Sequence, residues 1–269
     1  MTAAPTDVEE RLRSGTLTVE GRVVTASNVT MYARVDADDG TALSCVYKPV
    51  SGERPLWDFP DGTLAARERA AYLISEVGGW HLIPATVLRD GPLGPGMCQQ
   101  WITGESERPR DGGWVDLLEG DADLPDGWIA VLSGVDPSGR DVTLAHRAEA
   151  ALRWLALLDA VVTIADRKGG HLLTDRDGRL WAVDHGLCCH AEPKLRTVLW
   201  GWRFVSLSPA ELARLEHIHQ WLAGDPDELG ALLTSRERRA LSHRVSTLRE
   251  TATFPEPVPG LPALPWPAF

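Results

Sequence analysis

A lysine, a glutamate, two aspartates and a histidine are the residues best placed to act together on a charged ligand. Lys48 closes an apolar, strand-like run, CVYKPV. Glu68 lies in TLAARERAAYLISEVG, with Leu64, Ala71, Tyr72 and Ser75 at i−4, i+3, i+4 and i+7 from it. At helical spacing these neighbours put Glu68 inside the apolar stripe, where a carboxylate is costly unless a cation meets it. Lys48 is the natural cation, and a strand lysine held by a helix glutamate could grip phosphate oxygens. An ordinary surface glutamate and a lysine snorkelling along apolar surface would leave the same local pattern.

The second cluster is DAVVTIADRKGGHLLTDRDGRLWAVDHG. The turn at Asp175–Gly178 folds its flanks into an antiparallel hairpin. With the turn centred between Arg176 and Asp177, His171 is expected opposite Ala182 and Gly169 opposite Asp184. Asp166, His171 and Asp184 then gather at one end, a set suited to a divalent metal and a catalytic base. The Gly169–Gly170 pair leaves room for a ligand to approach the backbone. Taken singly, Asp166 could pair with Arg167 at the surface and DHG could be a simple turn. The order Lys48, Glu68, Asp166, His171, Asp184 along one chain favours a shared site.

These residues need elements to position them. TLTVEGRVV, VTMYARV and ALSCVYKPV are rich in β-branched residues and predict three antiparallel strands between Thr16 and Val50, after a polar lead-in over 1–14. A tight connection is expected at Thr25–Asn28. A helix follows over 63–78, stopped by Gly78–Gly79, and then a hairpin in VLRDGPLGPGMCQQWI. Residues 104–127 read as a linker or insert. In RAEAALRWLALLDAVVTI, residues Ala148, Leu152, Leu155, Leu158 and Val162 share one helical side. Further helices are expected over 209–223 and 226–249, and the proline-rich FPEPVPGLPALPWPAF should run extended over the surface. The expected fold class is therefore α+β. It has a β-rich N-lobe over 1–103 and a mainly helical C-lobe over 128–269, with a ligand cleft between them.

Composition narrows the function. The 269 residues carry a net charge of −11, which argues against a nucleic-acid partner and against docking on anionic membrane. No stretch approaches the roughly 18 apolar residues of a membrane span, and MTAAPTDVEERLRSG does not read as a secretory signal, so a cytoplasmic location is expected. Cys45, Cys98, Cys188 and Cys189 lack zinc-site spacing and read as buried thiols.

With YKP, RE on a helix, ADRKGGH and VDHG in this order, the chain resembles the phosphoinositide 3-/4-kinase-like branch of the protein-kinase-like superfamily, which also includes HipA-type kinases. The run DRKGGH…VDHG…EPKLRTVLWGW and the Pro-Trp-Pro tail are similar to an actinobacterial phosphoinositide 3-/4-kinase-like family. The likeness spans residues 16–269. It implies a two-lobed protein-kinase-like fold, ATP and Mg²⁺ as cofactors, and phosphoryl transfer to a protein or small-molecule acceptor. It implies that Lys48 contacts the phosphates and pairs with Glu68, that Asp166 is the catalytic aspartate, and that Asp184 holds metal. It also implies that Met97–Ile102, with Gln99, Gln100 and Trp101, forms the hinge beside adenine, and that Ser27 and Asn28 lie in the phosphate-covering loop. The glycine-rich phosphate loop of the broad family is missing. His171 stands where that family has asparagine, and as a softer ligand it would admit Mn²⁺ beside Mg²⁺.

Lys194 and Arg196 follow DHG, where kinases place the substrate segment, and two cations there suit an anionic acceptor; a solvated pair on an acidic protein is the plain alternative. Two other activities fit the same residues. One is nucleotidyl transfer (AMPylation) with ATP reversed. The other is a pseudokinase that binds a protein partner through its 11 tryptophans and its tail.

Overall fold

The computed structural model describes residues 7–24, 28–37, 40–60, 62–104, 113–120 and 124–269. The chain starts with a helix where a polar lead-in is expected. In α1 (Asp7–Ser14), acidic residues fill the first turn and Arg11 and Arg13 the last, which suits the helix dipole. Leu12 is fully buried and Val8 packs against the same core, so this short segment is anchored by apolar side chains as well as by charge.

The β-branched runs form β1 (Thr16–Arg22), β2 (Met31–Asp36) and β3 (Ala42–Pro49), as their composition requires. Thr63 caps α2 (Leu64–Val77) by accepting the Ala66 N–H at 3.0 Å, and Gly78 closes the helix. A two-residue loop with Gly94 at φ 93° joins β4 (Thr86–Gly91) to β5 (Gly94–Gln100). These five strands make one antiparallel sheet in the order β1-β2-β3-β5-β4, with α2 packed on β4 and β5.

The segment expected to be a linker contributes a strand. β6 (Val115–Glu119), β7 (Trp128–Val135) and β8 (Asp141–Arg147) form a separate antiparallel sheet in the order β6-β8-β7. The β7–β8 turn is chemically well specified: Asp136 Oδ1 accepts the N–H groups of Ser138 and Arg140, and Gly139 takes φ 83°. β7 and β8 fall at the start of the stretch expected to be mainly helical; β7, WIAVLSGV, is apolar yet largely exposed, so no alternation marks it as a strand.

The remainder is mainly helical. α3 (Ala150–Val162) buries Leu152, Leu155, Leu158 and Val162 completely, while Ala148 lies before the helix and is exposed. The hairpin is β9 (Leu172–Thr174) with β10 (Leu180–Ala182). Its register differs by one residue from the expected one: Leu172 faces Ala182, and the His171 carbonyl accepts the Val183 N–H. The cause is the loop, where Asp175 bonds Arg179 and Gly178 takes φ 80°, a three-residue turn rather than a two-residue one.

Next come α4 (Pro209–Ala223), α5 (Asp227–Leu232) and α6 (Ser235–Thr251). The single helix expected over 226–249 is broken because Leu233 is extended and Thr234 and Glu237 form a capping box that starts α6. Residues 254–269 carry no helix or strand, in keeping with their prolines. Among the described residues no helix is long and apolar enough to cross a membrane.

Candidate active site

Lys48, near the end of β3, bridges two carboxylates from distant parts of the chain. Its Nζ lies 2.8 Å from Glu68 Oε1 on α2 and 2.9 Å from Asp184 Oδ1. Glu68 is 1% exposed, and its other oxygen accepts the His185 N–H at 2.9 Å. Burial alone would lower the Lys48 pKa, but Asp184 and Glu68 outweigh it and hold the ammonium above the usual lysine range. The same ammonium holds Asp184, whose side chain is half exposed, below the usual carboxylate range. Asp184 has φ 62°, a left-handed conformation costing about 1–3 kcal/mol for a residue other than glycine, and such conformations gather at functional sites.

α2 is held rigidly around Glu68. Arg67 donates to the Cys188 carbonyl at 2.7 Å and pairs with Glu237 on α6. Arg69 reaches Glu9 on α1 at 2.6 Å and Glu228 on α5 at 2.7 Å. Both arginines are buried, a role missed in reading the sequence; the signal was three consecutive charges, RER, inside an apolar helix.

The loop carrying Asp166 is fixed from below. Thr163 ends α3 in a left-handed conformation, and the chain then turns toward Arg167. Arg167 is fully buried and grips both carboxylate oxygens of Asp159 at 3.0–3.2 Å. It also donates to the Val183 carbonyl at 2.9 Å and meets His185 Nε2 at 2.6 Å. One guanidinium thus ties the Asp166 loop to the strand end carrying Asp184. Arg167 is therefore no surface partner of Asp166, whose ion pair is with Lys168 at 3.2 Å. Burial raises the Asp166 pKa, with Lys168 opposing, and a raised carboxylate is a better proton acceptor.

His171 Nε2 stands 3.5 Å from Asp184 Oδ2, too far for a good hydrogen bond. Burial lowers its pKa to about 4 while Asp184 opposes, so the imidazole is neutral at neutral pH. Its Nδ1 is buried with no hydrogen-bond partner among the described residues. Among those residues no group of three or more His, Cys, Asp or Glu side chains converges on a metal position. One carboxylate and one neutral imidazole nevertheless fit a divalent ion that takes its other ligands from phosphate and water, the usual habit of Mg²⁺ at nucleotides.

These neutral histidines make stability pH-dependent. Burial lowers the pKa of His146, His171 and His185 below 6.5, so the unfolded chain binds protons that the folded chain refuses. Their share of stability is complete above about pH 6.5 and is lost as pH falls, for His171 down to about pH 4. His171 alone accounts for about 3 kcal/mol of this loss. The melting temperature should therefore drop between pH 7 and 4.5, and drop less in His171→Gln. Identical pH profiles for both proteins would contradict this assignment.

The other expected site residues are placed as follows. Ser27 lies outside the described residues. Asn28 Oδ1 accepts the Arg54 N–H at 3.0 Å, fastening its loop to the segment after β3. Gln99 is buried and donates to Thr86 Oγ1 at 2.8 Å. The Gln100 N–H bonds the Ala85 carbonyl, and Trp101 packs edge-on against Tyr32 at 5.1 Å. Lys194 pairs with Asp58 at 3.3 Å, and its ammonium lies over the rings of Trp57 and Phe59. It thus clamps the loop before α2 onto the segment after DHG. Arg196 lies alongside the Asp166 loop: its N–H bonds the Ile164 carbonyl, its carbonyl accepts the Arg167 N–H, and its charge opposes the rise in the Asp166 pKa.

This α+β architecture, a β-rich part followed by a mainly helical one, is a protein-kinase-like fold. The crystal structure of the golgi casein kinase matches it with a TM-score of 0.50 over 91% of this chain and 73% of that one; at 12% identity the likeness is one of fold. By sequence, the chain belongs to the family of Protein Rv2133c from Mycobacterium tuberculosis (strain ATCC 25618 / H37Rv), to which it is 44% identical over 96% of its own length and 94% of the relative's. No family model matches the chain.

Proposed function

We propose that this chain is an ATP-dependent phosphotransferase that moves a phosphoryl group to a hydroxyl of a protein or small-molecule acceptor. The observation that carries the reading is the Lys48 ammonium, held at once by Glu68 and Asp184. In this reading the boundary between N-lobe and C-lobe falls near 104–127, and the hinge is Met97–Ile102. Lys48 turns from Asp184 to the ATP phosphates and stays oriented by Glu68. Asp184 and His171 would hold Mg²⁺ or Mn²⁺, which would supply charge neutralisation at the phosphates. Asp166 accepts the proton of the acceptor hydroxyl as its oxygen bonds to the γ-phosphorus. The bond from that phosphorus to the β,γ-bridging oxygen breaks, and ADP leaves with the electron pair. Arg196, beside Asp166, orients an anionic acceptor.

Calorimetry tests the binding half. Lys48→Ala should weaken ATP affinity roughly ten- to a hundredfold, the worth of one or two charge-assisted bonds, with an unchanged circular dichroism spectrum. Chelation of divalent ions should weaken the wild type as well. Equal ATP affinity in both proteins would rule out the Lys48 role.

A further inference from the structure

The proline-rich segment ends against the loop that carries Asp166. The Ala263 carbonyl accepts the Thr197 N–H at 3.1 Å and the Trp200 indole N–H at 2.8 Å. Five residues on, the Ala268 carbonyl accepts the Gly169 N–H at 2.9 Å. The Phe269 ring then lies directly on Gly169. A methyl group on that Cα would come within 2.7 Å of ring Cδ1 and 2.8 Å of Cε1, with Val115 of β6 3.5 Å away. Gly169 does not have a positive φ, so its backbone does not demand glycine. The bare Cα serves close approach, and the group approaching is a side chain of the same protein rather than the ligand anticipated from sequence.

We propose that residues 263–269 are a strap and that Phe269 is a positioning residue for the Gly169–Gly170 stretch. Through it, the strap sets the placement of Asp166 and His171 on either side. The consequence for turnover rests on the proposed phosphotransfer; the strap itself does not. Two consecutive glycines leave that stretch the costliest part of the loop to order. Its internal support is one 3₁₀ turn, in which the His171 N–H bonds the Lys168 carbonyl at 3.2 Å. The strap adds a bond and a ring from outside. Its prolines keep it extended, so it loses little entropy in docking. Trp266 is 93% exposed and is not an anchor; Pro265 is buried, Ala263, Leu264 and Ala268 pack against the core, and Phe269, 43% exposed, covers Gly169 with one side of its ring.

The test uses the full chain with Phe269→Ala, Gly169→Ala, both together, and Phe269→Leu. Four quantities are read: NMR exchange of the Gly169 amide, melting temperature, ATP affinity and transfer rate. Phe269→Ala should speed Gly169 exchange and lower kcat roughly ten- to a hundredfold, with ATP affinity and melting temperature near wild type. Gly169→Ala should do the same by expelling the ring, and the double variant should be no worse than the worse single one. Phe269→Leu should recover most of the rate. Unchanged Gly169 exchange in Phe269→Ala, additive losses in the double variant, or a melting temperature that falls in step with the rate would each overturn the strap. If the wild type transfers no phosphoryl group, exchange still decides the strap, and it is the phosphotransfer reading that fails.

Discussion

Asp166→Ala is expected to lower phosphoryl transfer by roughly 10²–10⁴-fold, the usual worth of a positioned general base, while ATP affinity and melting temperature stay close to wild type. A base acts on a proton that moves only in the transition state, so its loss appears in kcat and spares nucleotide binding. The surroundings of Asp166 favour this separation. Among the described residues its ion pair is with Lys168, both side chains are partly exposed, and the loop is held by its neighbour Arg167. Burial raises its pKa toward the range in which a carboxylate takes protons well. Transfer rate, calorimetric affinity and thermal melting on this one variant decide the matter. A parallel loss of affinity and stability would make Asp166 structural, and retained transfer would remove it from the mechanism.

The largest stability effect should come from Asp159. Asp159→Ala leaves the Arg167 guanidinium buried without its carboxylate, and breaking a buried pair from one side costs about 3–5 kcal/mol. That is a large share of the roughly 5–15 kcal/mol that keeps a domain folded. The melting temperature should fall by roughly 10 °C. Because Arg167 also holds Val183 and His185, the Asp166 and Asp184 loops should loosen together. Asp159→Asn keeps the shape and one acceptor, so it should lose less. Thermal melting of both variants checks this; an Asp159→Ala protein as stable as wild type would show that the pair does not brace the loops.

What could be read beforehand was the chemistry that apolar surroundings make conspicuous. Lys48 and Glu68 were legible because each is a charge in an apolar run, and such charges must find one another. The strands up to β5 and the helices α2 and α3 were legible because β-branched composition and helical spacing agree with where their cores lie. Partners chosen by tertiary structure were less accessible. Nothing local says that Arg167 turns inward to Asp159, that Lys194 is claimed by Asp58, or that Arg69 reaches Glu9. The β6–β8–β7 sheet was hidden by exposed strands with little alternation, and the register of the β9–β10 hairpin turned on one glycine, Gly178, in the left-handed region. The strap was invisible because a proline-rich run declares its stiffness and not its docking site.

The most direct test is to incubate the wild-type protein and Asp166→Ala with ATP labelled in either the α- or the γ-phosphate, with Mg²⁺ or Mn²⁺, and to follow the label into acceptor fractions, the protein itself and released phosphate. Phosphotransfer requires γ-label to move and α-label to stay with the nucleotide, with movement lost in Asp166→Ala. Transfer of the α-label would mean nucleotidyl transfer instead. ATP binding with no transfer of either label to any acceptor or to water would contradict catalysis altogether and leave a nucleotide-gated binding module.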